Sequence, residues 1–345
     1  MGVLAAKTQT PYVIYNPAKV AKVHALRKMV TIAAAQAGLN EPVWLETTPE
    51  QPGTLQATQA VAAGASLVLA AGGDGTVRAV AAGLAGTGTP MAILPYGTGN
   101  LLSRNLQVPA DNIQEAIDIA FFGLEDEIDI AWMKVSGFEG EPEALPEGTH
   151  ITKQHKKFLE QRGFNPPSED EYAFIVIAGQ GWDGQMMSET NSTLKSRVGW
   201  GAYVVAGAKA LTAPKMRTFL ELDTGRKYVI NSRSILFANC SSLMLGVVLA
   251  PDAELNDGML DVATLETSDG LVGWADLFTK IAAQGLGIKN HVLPGTSGRL
   301  DFIQAATAHS LVKDAHPIQV DGDPLGNARE MRVRVDRKAL RIRKG

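Results

Sequence analysis

Residues 66–80 read SLVLAAGGDGTVRAV, an apolar run that ends in three glycines around one carboxylate. The run at 67–70 predicts a buried strand, and the apolar spacing from residue 77 predicts a helix. Glycines at such a junction leave backbone N–H groups uncovered, and these groups, with the first N–H groups of the helix, suit phosphate oxygens. The stretch therefore predicts a strand–turn–helix unit that binds a phosphorylated ligand. A plain turn in which Asp74 caps the helix is the alternative.

The same alternation of strand and helix surrounds this unit. Strands are predicted at 12–15, 43–47, 67–70 and 91–94, and helices at 17–37, 54–63, 77–85, from Leu101 and at 113–122. Strands that alternate with helices form parallel sheets. The amino-terminal part of the chain is therefore predicted to be an α/β domain.

The second half of the chain is rich in strand-like runs separated by turn residues. We expect a β-rich, sandwich-like domain interrupted by helices near 192–211 and 268–285. The predicted boundaries are 1–128 for the α/β domain, 129–327 for the β-rich domain with a flexible, acidic and Pro-rich insertion at about 139–170, and 328–345 for a carboxy-terminal strand that returns to the first domain. The alternating apolar and basic residues of MRVRVDRKALRIR predict a solvated edge strand.

Composition limits the class of protein. The chain has 345 residues, 45% of them apolar, and a formal net charge of -4, so it is globular and offers no broad basic face to nucleic acid. A single cysteine, Cys240, makes no internal disulfide and fits a reducing compartment. No signal-peptide pattern and no long apolar span is present. We expect a cytoplasmic protein.

A second glycine turn follows the next strand. MAILPYGTGNLLSRNL places Gly97, Thr98, Gly99 and Asn100 between a strand and a helix start. Neighbouring parallel strands point both turns to the same sheet edge, where open α/β sheets bind ligands. The GxxxxGK[ST] pattern is absent, so a metal or another charge must replace the P-loop lysine.

These residues resemble a known family. GGDGT followed by PYGTGN, APDAELNDGMLDV at 250–262 and QVDGDP at 319–324 is similar to the diacylglycerol kinase catalytic domain family, which includes sphingosine, ceramide and bacterial lipid kinases. NAD kinases share the GGDG element, so the resemblance implies an NAD kinase-like parallel sheet in the first domain. The likeness spans about residues 11–340.

The resemblance implies a nucleotide site for ATP and a site for Mg²⁺. The nucleotide residues are Asn16, Thr48 or its neighbour Thr47, Gly72, Gly73, Asp74, Gly75, Thr76, Val77, Arg78, Ala79, Gly97, Thr98, Gly99 and Asn100. Mg²⁺ would be bound by the Asp257 carboxylate and the backbone carbonyls of Glu254 and Met259. Phosphoryl transfer independently requires a cation on the β and γ oxygens, and oxygen ligands suit Mg²⁺. Asn-Asp-Gly is also strong turn chemistry, so a hairpin turn is the compatible alternative.

The catalytic base implied by the resemblance is Asp323, in the position where the family has DGE or DGD. Aspartate is one methylene shorter than glutamate, which shifts the acceptor or inserts a water. Asp321 and Asp74 are rival carboxylates. The chain departs from the family in reading NPAKV where NPxSG is usual, and in placing Arg78 after GGDGT, where it either contributes charge to phosphates or, as we favour, faces solvent.

The function implied is transfer of the γ-phosphoryl group of ATP to the hydroxyl of a membrane lipid, diacylglycerol being the first candidate. The partners expected are a lipid substrate and a membrane surface contacted peripherally, without nucleic acid; a homodimer is left open. The stretch 193–217, basic and aromatic, predicts either an amphipathic membrane-surface helix or an ordinary core helix. A sphingoid or ceramide kinase, a kinase of a soluble alcohol and a nucleotide- or lipid-binding protein without turnover are the alternatives.

Overall fold

The computed structural model describes residues 9–140, 153–168, 170–181, 215–241, 253–267 and 298–345. The helices predicted near 192–211 and 268–285, and most of the membrane-surface stretch, lie outside these residues. The chain divides into two compact units. Unit 1 comprises Met1–Ile130, Thr149–Glu169 and Lys338–Gly345, and unit 2 comprises Ala131–Gly148 and Asp170–Arg337. The domain boundaries predicted after residues 128 and 327 stay a prediction.

Unit 1 alternates strands and helices. Its elements are β1 (Pro11–Tyr15), α1 (Val23–Gln36), β2 (Val43–Glu46), α2 (Thr54–Ala62), β3 (Leu67–Gly72), α3 (Asp74–Leu84), β4 (Met91–Pro95), α4 (Leu101–Asn105), α5 (Ile113–Phe122), the first half of β5 (Leu124–Glu139) and α6 (Lys153–Gln161). The four strands β1 to β4 pair in parallel in the order β2–β1–β3–β4. β3 and β4 are buried along their whole length, as apolar strands covered on both faces are. The predicted α/β architecture is confirmed.

The first helix begins later than the sequence indicates. The prediction starts a helix at Pro17, whereas α1 begins at Val23. Asn16 explains the delay, because its Oδ1 accepts the Ala18 N–H at 2.9 Å and its carbonyl accepts the N–H groups of Lys19 and Val20. A turn closed by an Asn side chain competes with helix initiation.

The helix α6 lies within the predicted insertion and packs in unit 1. Its Leu159 is buried, and a Cβ at Gly86 would lie 2.2 Å from Leu159 Cδ2. Arg162, just after the helix, donates from Nη1 to the Gly86 carbonyl at 2.9 Å. The described part of the insertion is thus held on unit 1 by an apolar side chain and a charge-assisted hydrogen bond.

Unit 2 is built from antiparallel strands. They are the second half of β5, β6 (Glu171–Phe174), β7 (Ile177–Gly181), β8 (Met216–Leu222), β9 (Lys227–Ser232), β10 (Ser234–Ala238), β11 (Leu260–Thr267), β12 (Gly298–Ala305), β13 (Thr307–Val320) and β14 (Asp323–Lys344), the last of which continues into unit 1 from Lys338. One path of pairing runs β12–β11–β10–β7–β13–β14, and β8 and β9 extend from β13. The core includes Phe174, Phe237, Ile235, Val262 and Ile318, all nearly inaccessible to solvent. The predicted β-rich character is confirmed.

The carboxy-terminal strand differs from the prediction of a solvated edge. β14 pairs with both β13 and β5. Arg334 is only 20% exposed and forms ion pairs with Glu171 at 2.7 Å and Asp336 at 2.8 Å. Its guanidinium also lies 5.6 Å from the centre of the Trp132 ring. β14 has neighbouring strands on both sides, so the prediction of an edge strand was wrong, while Arg332, whose side chain is 61% exposed, and the exposed Arg337 do face solvent.

Within the described ranges, no helix combines the length and the apolar character that crossing a bilayer requires.

Candidate active site

Two glycine turns lie side by side at the carboxyl ends of β3 and β4. The strands pair in register from Val68 with Met91 to Gly72 with Pro95, so the turns leave the sheet at the same level. A Cβ at Gly97 would lie 2.8 Å from the Cα of Gly73. Only glycine at 97 permits this approach, since real Cβ atoms do not come so near to backbone. The sequence placed both turns at one sheet edge, and the structure brings them into contact.

Asp74 connects the two turns. Its Oδ2 accepts the backbone N–H of Asn100 at 3.0 Å, and its Oδ1 accepts that of Leu101 at 2.7 Å. A Cβ at Gly99 would lie 2.8 Å from Oδ2, which explains the second glycine of GTGN. Asp74 is the first residue of α3, whose N-cap is Gly73. The alternative in which it caps α3 is therefore wrong, because the carboxylate caps α4 instead, where orphan N–H groups favour negative charge.

The second turn is held in shape by Asn100. This residue has φ 48°, a left-handed conformation that asparagine tolerates better than most residues. Its Oδ1 accepts the Gly97 N–H at 2.9 Å, and its Nδ2 donates to the Gly97 carbonyl at 2.8 Å. Burial raises the pKa of the adjacent Tyr96 phenol, so this ring stays neutral beside the turn. Thr98, at the tip, is exposed and available to a ligand.

The first turn is braced by its neighbours. A Cβ at Gly72 would lie 2.7 Å from Thr76 Oγ1, so the buried Thr76 side chain packs directly on the glycine. Asn16, at the end of β1, donates its backbone N–H to Ala71 at 2.9 Å, and its Nδ2 lies 3.5 Å from Thr76 Oγ1. Asn16 therefore lies beside the GGDGT turn. Gly73 and Gly75 are partly exposed in that turn.

The helix residues predicted to bind nucleotide have buried side chains. Val77, Arg78 and Ala79 are 6, 7 and 8% exposed. The prediction that Arg78 faces solvent was wrong, because α3 is covered by α2, as the bond of 3.0 Å from Thr54 Oγ1 to the Ala79 carbonyl illustrates. At these positions a ligand can reach little more than backbone.

The threonines after β2 differ in accessibility. Thr47 is buried, whereas Thr48 is exposed and its Oγ1 accepts the Gln51 N–H at 3.1 Å. Thr48 is therefore the one of the pair that a ligand can contact.

The turn that carries the candidate metal ligands lies in unit 2. Asp257 Oδ1 accepts the Met259 N–H at 2.8 Å, and Gly258 has φ 81°. A Cβ at Gly258 would lie 2.8 Å from Arg337 Cδ, so the stem of Arg337 passes over the turn. The backbone turns here before β11, and the residues that would form the other strand of the predicted hairpin lie outside the described ranges.

The donor set of this turn suits Mg²⁺ chemically. One carboxylate, Asp257, and the carbonyls of Glu254 and Met259 are hard oxygen ligands, and Mg²⁺ commonly takes one or two carboxylates together with waters and substrate phosphates. Across the ranges the structure describes, no group of three or more His, Cys, Asp or Glu side chains forms a metal-binding cluster. A Mg²⁺ held here would complete its coordination with waters or phosphate oxygens.

Asp321 and Asp323 flank a two-residue hairpin between β13 and β14. Val320 pairs with Asp323, and the residues between them, Asp321 and Gly322, have φ 46° and φ 87°, as in a type I′ turn. Asp-Gly is a favoured sequence for this turn, so Asp321-Gly322 was a hairpin signal in the sequence. Asp323 is half-buried and begins β14.

Asp321 has a structural role that sequence reasoning missed. Its carboxylate accepts the N–H groups of Ile175 at 3.0 Å and of Val176 and Ile177 at 2.9 Å each. The side chain is 7% exposed. The rival carboxylate Asp321 thus holds the junction of β6 and β7, which leaves Asp323 as the base candidate of the pair.

The register places the acidic elements of unit 2 at one end of its sheet. Val320 pairs with Ala178, Ala178 with Phe237, and Phe237 with Val262. The β13–β14 turn and the turn before β11 therefore leave the sheet at the same end. Three strand spacings of about 4.8 Å separate β13 from β11, so the end of β13 and the start of β11, where the two turns meet the sheet, are about 14 Å apart.

Comparison with known proteins gives the chain its relatives. Residues 10–133 match the diacylglycerol kinase catalytic domain family. A Pseudomonas putida protein named "Probable lipid kinase YegS-like" is 27% identical over 286 residues, which are 82% of this chain and 79% of that protein. A Bacillus subtilis diacylglycerol kinase is 27% identical over 261 residues, 74% of each protein. The crystal structure of a Bacillus anthracis diacylglycerol kinase has a TM-score of 0.61 at 18% identity, covering 99% of this chain and 98% of that one, which establishes a shared fold.

Proposed function

Because residues 10–133 match the diacylglycerol kinase catalytic domain family, we propose that this chain is an ATP-dependent lipid kinase. It transfers the γ-phosphoryl group of ATP to the hydroxyl of a membrane lipid, and diacylglycerol, which becomes phosphatidic acid, is the proposed substrate. The names of the Pseudomonas putida and Bacillus subtilis relatives support a lipid acceptor.

The observation that carries the proposal is the contact between the two glycine turns in unit 1. The turns meet at Gly73 and Gly97, and the Asp74 carboxylate occupies N–H groups of the second turn. The N–H groups at the start of α3 remain directed away from the helix, since the first turn of a helix has no internal acceptors for them. Uncovered N–H groups and the helix dipole favour the phosphates of ATP. Thr48 and Thr98 supply exposed hydroxyls for the rest of the nucleotide.

Mg²⁺ is the proposed cofactor. Asp257 and the carbonyls of Glu254 and Met259 would hold it, and when bound it neutralises charge on the phosphate oxygens. The chain has no P-loop lysine, and Arg78 is buried. The residues of the nucleotide site thus offer mainly neutral N–H donors, which is why a cation is part of the proposal.

Asp323 is the proposed base. The substrate oxygen attacks the γ-phosphorus, the bond from that phosphorus to the β–γ bridging oxygen breaks, ADP leaves, and the hydroxyl proton passes to the Asp323 carboxylate directly or through one water. The role of Asp74 is to organise the nucleotide turns, because both of its oxygens accept backbone N–H groups.

The experiment is ATP-dependent labelling of lipids. The chain is incubated with γ-labelled ATP, Mg²⁺ and a total membrane lipid extract, and labelled products are identified by mass spectrometry. We expect a labelled phosphatidic acid. Absence of any labelled lipid, with bound ATP detected by calorimetry, would leave a nucleotide-binding protein and overturn the kinase proposal.

Asp323→Asn tests the base separately. We expect turnover to fall by about 100-fold or more, as for removal of a general base, while ATP affinity stays within about two-fold. Asp314→Asn is the matched control, because Asp314 is an exposed aspartate on the same hairpin away from the turn. Equal turnover in both variants would remove Asp323 from the mechanism.

A further inference from the structure

An open groove of about 440 Å³ lies on the surface of unit 2, far along β13 from the proposed base. Its walls come from β8, β9, β13 and β14, and its main side chains are Arg217, Phe219, Val229, Leu311, Lys313 and Arg329. None of these residues belongs to the nucleotide, metal or base sites. The groove combines three cations with large apolar side chains.

The apolar part is one cross-strand row. Phe219 is paired with Val229 on one side and with Leu311 on the other, so the three side chains cross three strands on one face. Val229 is 59% exposed and Leu311 is 42% exposed. Cross-strand apolar neighbours usually protect one another from water, and a contiguous exposed set marks a contact surface.

The cationic part borders this row. Arg329 pairs with Glu139. Within the described residues, neither Arg217 nor Lys313 forms an ion pair. Arg217 follows Met216 at the start of β8, and Lys313 follows the last residue of β13 that pairs with β8, so the two cations lie at the same end of the strand pair. In the part of the chain that the structure describes, Arg217 and Lys313 thus place positive charge without an ion-pair partner beside exposed apolar side chains, which is complementary to an anionic, amphipathic partner.

We propose that this groove docks the chain on an anionic phospholipid bilayer. Leu311, Val229 and Phe219 enter the interface between headgroups and acyl chains, and Arg217, Lys313 and Arg329 contact the headgroup phosphates. The inference rests on the proposed function in one respect, since a lipid substrate lies in a bilayer. It assigns the membrane contact to a sheet face that includes Arg217, the last residue of the stretch 193–217, for which the sequence left a membrane-surface helix and a core helix open.

A bilayer fits the groove better than a small soluble anion does. A site for a free phosphate encloses its ligand with buried donors, whereas this groove is open and exposes the apolar Val229 and Leu311 beside its cations. The cations supply long-range attraction to the leaflet, and the apolar row supplies an attachment that salt does not screen.

The test is flotation of the full chain with phosphatidylcholine vesicles that either contain or lack phosphatidylglycerol. The wild-type chain is expected to float with the anionic vesicles and to remain at the bottom of the gradient, unbound, when the vesicles are neutral. Arg217→Glu/Lys313→Glu is expected to lower the partition coefficient at least about 25-fold, because each basic residue beside an anionic leaflet contributes roughly five-fold. Leu311→Ser/Val229→Ser is expected to remove the fraction of binding that survives high salt.

The matched control is Arg226→Glu/Lys227→Glu, which makes the same change in net charge on the exposed β8–β9 turn. It loses only a surface ion pair of Lys227 with Glu221. An equal fall in partition for the control would reduce the effect to overall charge and overturn the docking site. Two other outcomes would also overturn the docking site. The first is binding to anionic vesicles that both groove variants retain, and the second is a groove variant whose only effect is to dissociate a homodimer.

A second readout separates this inference from the proposed function. Turnover of a short-chain lipid dissolved as monomers is expected to be unchanged in the groove variants, since none of these residues lies in the proposed reaction site. Flotation requires no turnover, so a chain that binds anionic vesicles through the groove and phosphorylates nothing retains this inference while losing the kinase proposal. A fall in monomer turnover equal to the fall in partition would contradict a docking role.

Discussion

The carboxylate of Asp74 accepts the backbone N–H of Leu101 at 2.7 Å, across 27 positions of sequence. With the companion bond to Asn100, this makes the shape of one glycine turn depend on the other. Asp74, a candidate catalytic residue in the sequence, thus uses its carboxylate to hold the backbone of the second glycine turn.

Asp74→Ala is expected to lower the free energy of unfolding by about 2–4 kcal/mol, because two charge-assisted hydrogen bonds are lost. ATP affinity should fall at least about ten-fold with it. Urea unfolding and calorimetry measure the two quantities. Asp74→Asn is the discriminating variant: if it kept stability and ATP affinity while turnover vanished, Asp74 would be the base and the organising role would be wrong.

Gly97→Ala is expected to abolish ATP binding without unfolding the chain. The new Cβ would meet the Gly73 Cα at 2.8 Å, so the turns must move apart. Gly225→Ala is the control, because a Cβ there meets nothing within 4 Å and only the positive φ of 72° is strained. It should cost about 1 kcal/mol of stability and leave ATP affinity intact. Normal ATP affinity in Gly97→Ala would show that the contact between the turns is irrelevant to the nucleotide.

Asp321→Asn should destabilise the protein by at least about 2 kcal/mol, and by more than Asp323→Asn does. Asn tolerates the positive φ at 321, so the variant removes charge from a carboxylate that accepts three backbone N–H groups. Thermal unfolding of the two variants in parallel provides the comparison. A reversed order of stabilities would exchange the structural and catalytic assignments of these aspartates.

The lowered pKa of Glu330 predicts a specific loss of folding stability at acidic pH. Hydrogen bonds from Ser136, Arg332 and His309 lower the pKa of Glu330 from 4.5 to about 2. Folding thus favours the ionised form, so this stabilisation is complete above about pH 4.5 and disappears as the pH falls towards 2. Glu330→Gln should cost about 1–2 kcal/mol at pH 7 and progressively less below pH 4.5, measured by urea unfolding at several pH values. A cost that is independent of pH would assign the effect to packing.

The secondary structure of unit 1 was predictable because its signals are local. α5 spans the predicted residues 113–122, and β3 and β4 extend the predicted strands by one or two residues. Apolar periodicity and glycine turns act over a few residues, which is the range that sequence patterns report. α1 was mispredicted at its start because the turn closed by Asn16 overrode a pattern that was otherwise helical.

The chemistry of the site was less predictable because it depends on distant pairs. The glycine turns were recognised from their composition, but the carboxylate that joins them could not be, since its partners follow a second strand. Asp321 and its three donors are separated by at least 144 positions. The pairing of Arg334 with Glu171 spans 163 positions and removes this arginine from the solvated strand face that the sequence predicted.

Residues 338–345 affect the order in which the amino-terminal unit can be completed during synthesis. Ile342 pairs with Met91 on the side of β4 opposite β3, and Arg341 Nη1 donates to the Gly88 carbonyl at 3.0 Å, 253 positions away. A ribosome must translate all of unit 2 before this edge is covered. A nascent chain therefore carries a bare strand edge throughout that interval, the condition in which sheets recruit foreign strands. Chaperone dependence and misassembly of this protein should accordingly depend on translation speed through unit 2.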